Sequence, residues 1–177
     1  LLSFEIFYHI KQRSTLVFLC IFLLTGFVIS SSGMAANNVN FNAPYELLYL
    51  TTVLSINALF MIMFMVIVGT CRDNQYHTES SIFCQPVPKH VFFLSHFLGS
   101  FMICLAVFSG FLPGFFMGTF WPSLDASRIG DFNPNHYLFV LTWIVIPNVL
   151  VLTSLVFSIS ILIRKRMVEY VSAVGIY

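Results

Sequence analysis

Charged side chains are scarce in this sequence. Only 8% of the 177 residues are Asp, Glu, Lys or Arg, whereas soluble domains carry about 25%. Eight basic and seven acidic side chains are too few to cover a water-facing surface on a chain of this length. The basic residues are scattered in small groups and the formal net charge is +1. This distribution argues against nucleic acid as a partner, because phosphate binding needs a basic patch.

Motifs of catalysis and metal binding are also missing. The four cysteines form no C-x-x-C pair, so they indicate neither a disulfide framework nor a zinc site. The sequence has no H-E-x-x-H, no G-x-S-x-G and no G-x-x-x-x-G-K-[ST] motif. Of the five histidines only His96 falls at membrane depth, which argues against a haem held between facing helices. We therefore expect no enzyme activity, no catalytic residue, no cofactor and no metal.

Long apolar runs are what the sequence does contain. Hydrophobic residues make up 58% of the chain, and 21 residues are Phe. A spanning helix needs about 20 mostly apolar residues, and only a helix satisfies its own backbone hydrogen bonds in hydrocarbon. We predict an all-α integral membrane protein with a kink at Pro147 in its fourth span. The predicted spans cover residues 14–30, 47–70, 91–120 and 137–163. We expect residues 167–177 to be the start of a fifth span in a longer chain.

The third predicted span carries three glycines at a spacing of four residues. Gly110, Gly114 and Gly118 then share one helical face, and such a face lets another helix backbone approach closely. On this interpretation they are helix-packing residues, and Phe115 faces lipid. Pro113 lies within the same stretch and is compatible with a second interpretation, in which the helix breaks and turns back. The sequence leaves both open.

The first 13 residues are too short and too charged to span a bilayer. We predict an interfacial amphipathic helix over 1–13, with apolar residues loosely gathered on one side (Phe4, Phe7, Tyr8 and Ile10) and charged residues opposite (Glu5, Lys11 and Arg13). With four spans and a cytoplasmic N-terminus, seven Lys and Arg fall inside and only Arg128 falls outside. This asymmetry predicts a multi-pass protein whose N-terminus is cytoplasmic.

Three uncharged polar residues, Asn57, His96 and Asn148, fall within or near the predicted spans. Polar groups at membrane depth avoid lipid and face a cavity or another helix. They are therefore candidates for a polar pathway. The alternative is ordinary hydrogen bonding between helices, which contributes only about 0.6 kcal/mol on average, and each of the three is alone in its span.

The connection between the second and third spans, residues 71–90, is predicted to be cytoplasmic. Its polar beginning, its apolar Ile82 and Phe83, and Pro86 predict a short helix between Asp73 and Cys84. A solvated connector is the alternative, although a shorter link would serve that purpose. An amphipathic helix at a cytoplasmic elbow is also a shape by which membrane subunits dock onto a soluble motor.

Several short motifs follow one another along the chain. They are Arg72-Asp73 with Tyr76 and Thr78, Pro86-Val87-Pro88-Lys89, Phe97-Leu98-Gly99-Ser100-Phe101, Trp121-Pro122-Ser123-Leu124-Asp125, and Ile146-Pro147-Asn148. In this order the chain resembles, over nearly its whole length, the type-2 family of ATP-binding cassette permeases, particularly its bacterial branch. Glu79 and Gln85 depart from the pattern of that branch.

The resemblance implies a permease subunit of an ATP-binding cassette transporter in the bacterial inner membrane. The family unit has an interfacial helix, six spans and a coupling helix between spans two and three, and two units combine with two ATPase subunits. The implied partners are an ABC-type ATPase, a second permease copy or homologue, and the lipid bilayer. The implied docking residues are Arg72, Asp73, Tyr76, Thr78, Glu79, Ile82, Phe83 and Pro86. The alternative is a non-transporting helical scaffold or accessory subunit of a larger membrane complex.

Overall fold

The computed structural model describes residues 2–32, 43–75, 88–121 and 133–163, and its regular elements over these ranges are all helical. The helices are α1 (Leu2–Lys11), α2 (Arg13–Ser31), α3 (Pro44–Gln75), α4 (Lys89–Ser109), α5 (Phe111–Gly118), α6 (Pro134–Val140) and α7 (Ile146–Ile163), with a π-helical turn at Leu141–Val145 between the last two. The predicted all-helical class is thus confirmed for the described residues.

Four helical stretches are long and apolar enough to cross a membrane. They are Arg13–Ser31, Pro44–Thr70, His90–Gly118 and Pro134–Leu162. Each begins and ends close to a span predicted from the sequence, because both sets of boundaries follow the charges and loop residues that interrupt the apolar runs. The predicted fifth span, 167–177, lies outside the described residues.

The third span is interrupted at Gly110, between α4 and α5. The Gly110 amide donates to the Val107 carbonyl at 3.1 Å, which is the tighter bonding of a 3₁₀ turn. Pro113 has no N–H, so the carbonyl of Ser109, four residues earlier, has no helical donor at this point. The helix is therefore interrupted three residues before the proline, at Gly110, whose backbone keeps right-handed helical angles.

In the fourth of these stretches the backbone accommodates a proline by a π-helical turn. Pro147 cannot donate to the carbonyl of Trp143, and the backbone forms the π-helical turn Leu141–Val145 just before it. Such turns commonly accompany kinks in long helices. At the start of the span, the Asn133 side chain accepts a hydrogen bond from the Asn135 amide at 3.1 Å, and Pro134 occupies the first turn of the helix.

The helices group into two compact units. The first consists of Leu1–Gln12, Leu59–Cys104 and Val149–Tyr177. Much of its core comes from the second half of α3, where Met61, Ile62, Met65, Val66 and Ile67 are fully buried. Within the same unit α4 packs on α7, and the rings of Phe97 and Phe157 meet edge to face with centroids 5.5 Å apart.

The second unit consists of Arg13–Ala58 and Leu105–Asn148. Its main contact joins α2 to α5 and to the end of α4. Phe22 of α2 meets Phe108 edge to face at 5.4 Å, and Phe108 in turn contacts Phe111 at 5.4 Å. The other side of α2 leaves apolar side chains exposed, namely Leu16, Val17, Ile21, Leu24 and Val28.

Candidate functional site

The N-terminal helix α1 turns its charged side inward. Glu5 and His9 lie one helical turn apart and so share a face, and they are only 4% and 1% exposed. Phe7 and Ile10, in contrast, are 57% and 52% exposed. Glu5 thus lies on the side away from Phe7 and Ile10, and the helix docks through its polar residues.

Glu5 docks against a histidine of α4. Its Oε2 lies 3.5 Å from Nδ1 of His96, and the His96 side chain is itself buried, with 7% exposure. The imidazole also contacts the Phe92 ring edge to face, with centroids 4.5 Å apart. Both groups of this contact are buried, so removing either one takes a partner from the other, which is costly inside a protein.

Two glycines make room for the docked helix. A Cβ at Gly99 of α4 would lie 2.8 Å from the Glu5 Cβ, and a Cβ at Gly69 of α3 would lie 3.0 Å from Cε1 and Nε2 of His9. Both distances are shorter than ordinary van der Waals contact, so α1 lies directly on the backbones of these two helices. Gly69, His9, Glu5, Gly99 and His96 form what we call the N-terminal docking cluster.

The three candidates for a polar pathway have different environments. His96 belongs to the N-terminal docking cluster in the first unit, so its interaction is with another helix of the protein. Asn57 and Asn148 belong to the second unit; Asn57 is exposed and Asn148 is half-buried.

The glycines of the third span lie against α2. A Cβ at Gly114 would overlap the carbonyl oxygen of Leu23, and one at Gly118 would lie 2.6 Å from the Ser30 Cβ. A Cβ at Gly110 would lie 3.1 Å from a methyl carbon of Leu19. Phe115 is 3% exposed, so the prediction that this residue faces lipid is wrong.

Helix α2 contributes a glycine of its own to the crossing. A Cβ at Gly26 would overlap the Phe111 carbonyl oxygen, so glycines from both helices permit the approach. Pro113 therefore does not exclude close packing: the helix breaks before it, and the glycine face of α5 remains in contact with α2. The close packing of the first interpretation is thus present, and the interruption at Gly110 lies within the single apolar stretch His90–Gly118.

The implied docking residues are divided between described and undescribed parts of the chain. The helix of the second span continues past its predicted end at residue 70 to Gln75, so Arg72 and Asp73 belong to α3. Outside the described residues lie Tyr76, Thr78, Glu79, Ile82, Phe83 and Pro86. The start of the predicted short helix, residues 73–75, is instead the end of α3, and its remainder lies outside the described residues.

The sequence did not predict that α1 docks on α3 and α4 through Glu5 and His9. Their spacing of four residues was one available signal, since it places two polar side chains on one helical face. No pattern near Glu5 indicates that His96 is its partner, because His96 lies about ninety residues further along the chain. A similar limit applies to Gly69 and Gly99, whose neighbours are set by tertiary packing.

Within the described ranges no group of three or more His, Cys, Asp or Glu side chains is placed to hold a metal ion. Cys20 and Cys104 are free thiols. Comparison with known proteins finds no family model, no curated protein and no solved structure that matches the chain.

Proposed function

We propose that this chain is the membrane-spanning permease subunit of an ATP-binding cassette transporter, whose ATP is hydrolysed by a separate subunit. The observation that carries the proposal is the continuation of the second span, without a break, through residues 71–75. Those residues include Arg72 and Asp73, with which the motifs of the type-2 permease resemblance begin. The start of the docking segment is thus continuous with a membrane-spanning helix.

Membrane embedding is supported by the length and surface of the helices. At 1.5 Å per residue, the shortest of the four stretches has 19 residues and matches the hydrocarbon thickness of about 30 Å. Large apolar side chains remain exposed along these stretches, among them Leu24, Phe60, Leu94 and Leu155. Such side chains are compatible with lipid, whereas in water they would form patches that soluble monomers rarely show.

The proposed orientation places the N-terminus and residues 71–90 in the cytoplasm of a bacterium, in its inner membrane. It follows from the seven-to-one distribution of Lys and Arg between the two sides. In this orientation α1 lies on the cytoplasmic side, with Lys11 near the headgroups. We further propose that the chain forms part of a six-span unit and that two such units assemble with two ATPase subunits.

Coupling to ATP hydrolysis would pass through the segment that follows α3. A permease without a nucleotide site responds to ATP only through a contact that differs between the states of its motor. In the proposed contact Tyr76, Ile82 and Phe83 provide apolar anchors, because buried aromatic and aliphatic anchors dominate interface energies. Arg72, Asp73 and Glu79 would set its orientation, supported by Thr78 and by the stop at Pro86.

A second candidate function is that of a non-transporting scaffold, and one observation favours it. Several threonines of the spans donate to carbonyls of their own helix: Thr51 to Leu47 at 2.5 Å, Thr70 to Val66 at 2.6 Å and Thr153 to Val149 at 2.7 Å. Hydroxyls satisfied in this way offer little to a polar substrate. A helical accessory subunit needs no such substrate route.

The two functions are separated by purifying the chain from its native membrane in mild detergent and identifying the co-purified chains by mass. The permease proposal predicts a co-purifying ATPase with a P-loop, in a fixed ratio to this chain, and ATP hydrolysis by the complex. Repeated recovery with other membrane proteins and without such an ATPase would favour the scaffold.

A further inference from the structure

The outer side of α1 carries an unusual combination of side chains. Because Glu5 and His9 face inward, the opposite side presents Ser3, Phe7, Ile10 and Lys11, which recur at helical spacing. Phe7 and Ile10 are more than half exposed. We call these four residues the outer face of α1.

The charge of the outer face is positive. Glu5 is the one acidic residue of α1, and it is almost completely buried, so it does not offset Lys11 at the surface. From the sequence alone Glu5 would have balanced part of this charge, so the positive surface follows from the way the helix docks.

The Lys11 ammonium lies beside an apolar side chain of the outer face. Its Nζ lies 4.5 Å from the centroid of the Phe7 ring, within the range of a cation–π contact. A cation held directly beside an exposed aromatic ring matches the boundary between acyl chains and headgroups, where apolar groups enter the lipid and basic groups meet phosphate.

We infer that the outer face of α1 binds anionic phospholipid, with Phe7 and Ile10 at the acyl boundary and Lys11 at the phosphates. Charge complementarity favours this occupant, because anionic lipid attracts basic residues near the surface whereas a zwitterionic bilayer lacks this attraction. The inference rests on the membrane-spanning part of the proposed function and does not depend on transport.

The test uses the full chain in bilayers of mixed phosphatidylcholine and phosphatidylglycerol, with bromine on the acyl chains of one lipid at a time. Phe7→Trp serves as the fluorescent reporter in a background carrying Trp121→Phe and Trp143→Phe. Ile10→Trp is a second reporter on the same face. Met117→Trp is the control, since Met117 is an exposed apolar position on α5.

At equal mole fractions, brominated phosphatidylglycerol should quench the position-7 reporter more strongly than brominated phosphatidylcholine. The expected local enrichment is about fivefold for each basic residue near the surface. Lys11→Gln should remove this selectivity, and Lys11→Arg should retain it. The Met117→Trp reporter should be quenched equally by both lipids.

Equal quenching of both outer-face reporters by the two lipids would overturn the inference, as would selectivity that survives Lys11→Gln. If neither lipid quenched the two outer-face reporters, the inference would also be overturned, and the result would indicate a protein partner or water on this face. Quenching of the Met117→Trp control by either lipid shows that the chain is embedded. Failure of the lipid inference is thereby distinguished from failure of membrane embedding.

Discussion

At the close crossing of α2 and α5, we predict that adding a single methyl group destabilises the protein. Gly114→Ala places a Cβ where the Leu23 carbonyl oxygen of α2 now lies. A flexible side chain could rotate away from the new methyl group, but a backbone carbonyl moves only with its helix. The substitution therefore requires α2 and α5 to separate.

The magnitude follows from two opposing effects. Replacing a helical glycine by alanine ordinarily stabilises a helix by about 0.5–1 kcal/mol. Overpacking a tight contact costs about 1–3 kcal/mol and sometimes more, and a backbone obstacle places this site at the upper end of that range. We expect a net destabilisation of about 2 kcal/mol, which for a chain of this size lowers the unfolding temperature by about 4–8 °C.

Thermal unfolding in mild detergent, followed by far-ultraviolet circular dichroism, measures this effect. Ala106→Leu is the control, because Ala106 lies exposed on α4 and a larger side chain there should change stability by less than about 0.5 kcal/mol. If Gly114→Ala unfolds at or above the temperature of the parent chain, helix propensity outweighs the clash, and the close approach of α2 to α5 is refuted.

Two further predictions concern docking and topology. Glu5→Ala removes one partner of a buried polar contact and should destabilise the protein by about 1–3 kcal/mol, whereas Ser3→Ala on the exposed side should cost less than about 0.5 kcal/mol. Equal melting temperatures of these two variants would contradict the docking cluster. In intact cells that express the chain without its native cysteines, a membrane-impermeant maleimide should label the Ser127→Cys variant and not the Gln75→Cys variant. The reverse pattern would contradict the proposed orientation.

The spans could be predicted from the sequence because their length is fixed by an external condition. A helix that crosses hydrocarbon needs an uninterrupted apolar stretch, and few stretches of this chain satisfy that condition. A break near Pro113 was one of the two interpretations of the third span, and the interruption occurs at Gly110. It precedes the proline because a proline leaves the carbonyl of the preceding turn without a helical donor.

The orientation of α1 could not be predicted in the same way. Amphipathic spacing shows that a helix has two different sides, but not which side meets protein and which meets lipid. For α1 the polar side faces inward, because Glu5 finds His96 and because Gly69 and Gly99 leave space for it. These partners come from distant parts of the chain, where local periodicity carries no information about contact.

The central claim is that this chain is driven by a separate ATPase docked on residues 71–90. It is tested most directly by truncating the proposed anchors, Ile82→Ala with Phe83→Ala, and measuring ATPase association and hydrolysis in the purified complex. We expect association to weaken by about tenfold or more, with the membrane fold intact by circular dichroism. The matched control is Val91→Ala with Phe93→Ala, a similar loss at two exposed positions of α4, which should leave association unchanged. Full association and unchanged hydrolysis in the Ile82→Ala, Phe83→Ala chain would contradict the docking site and favour the scaffold.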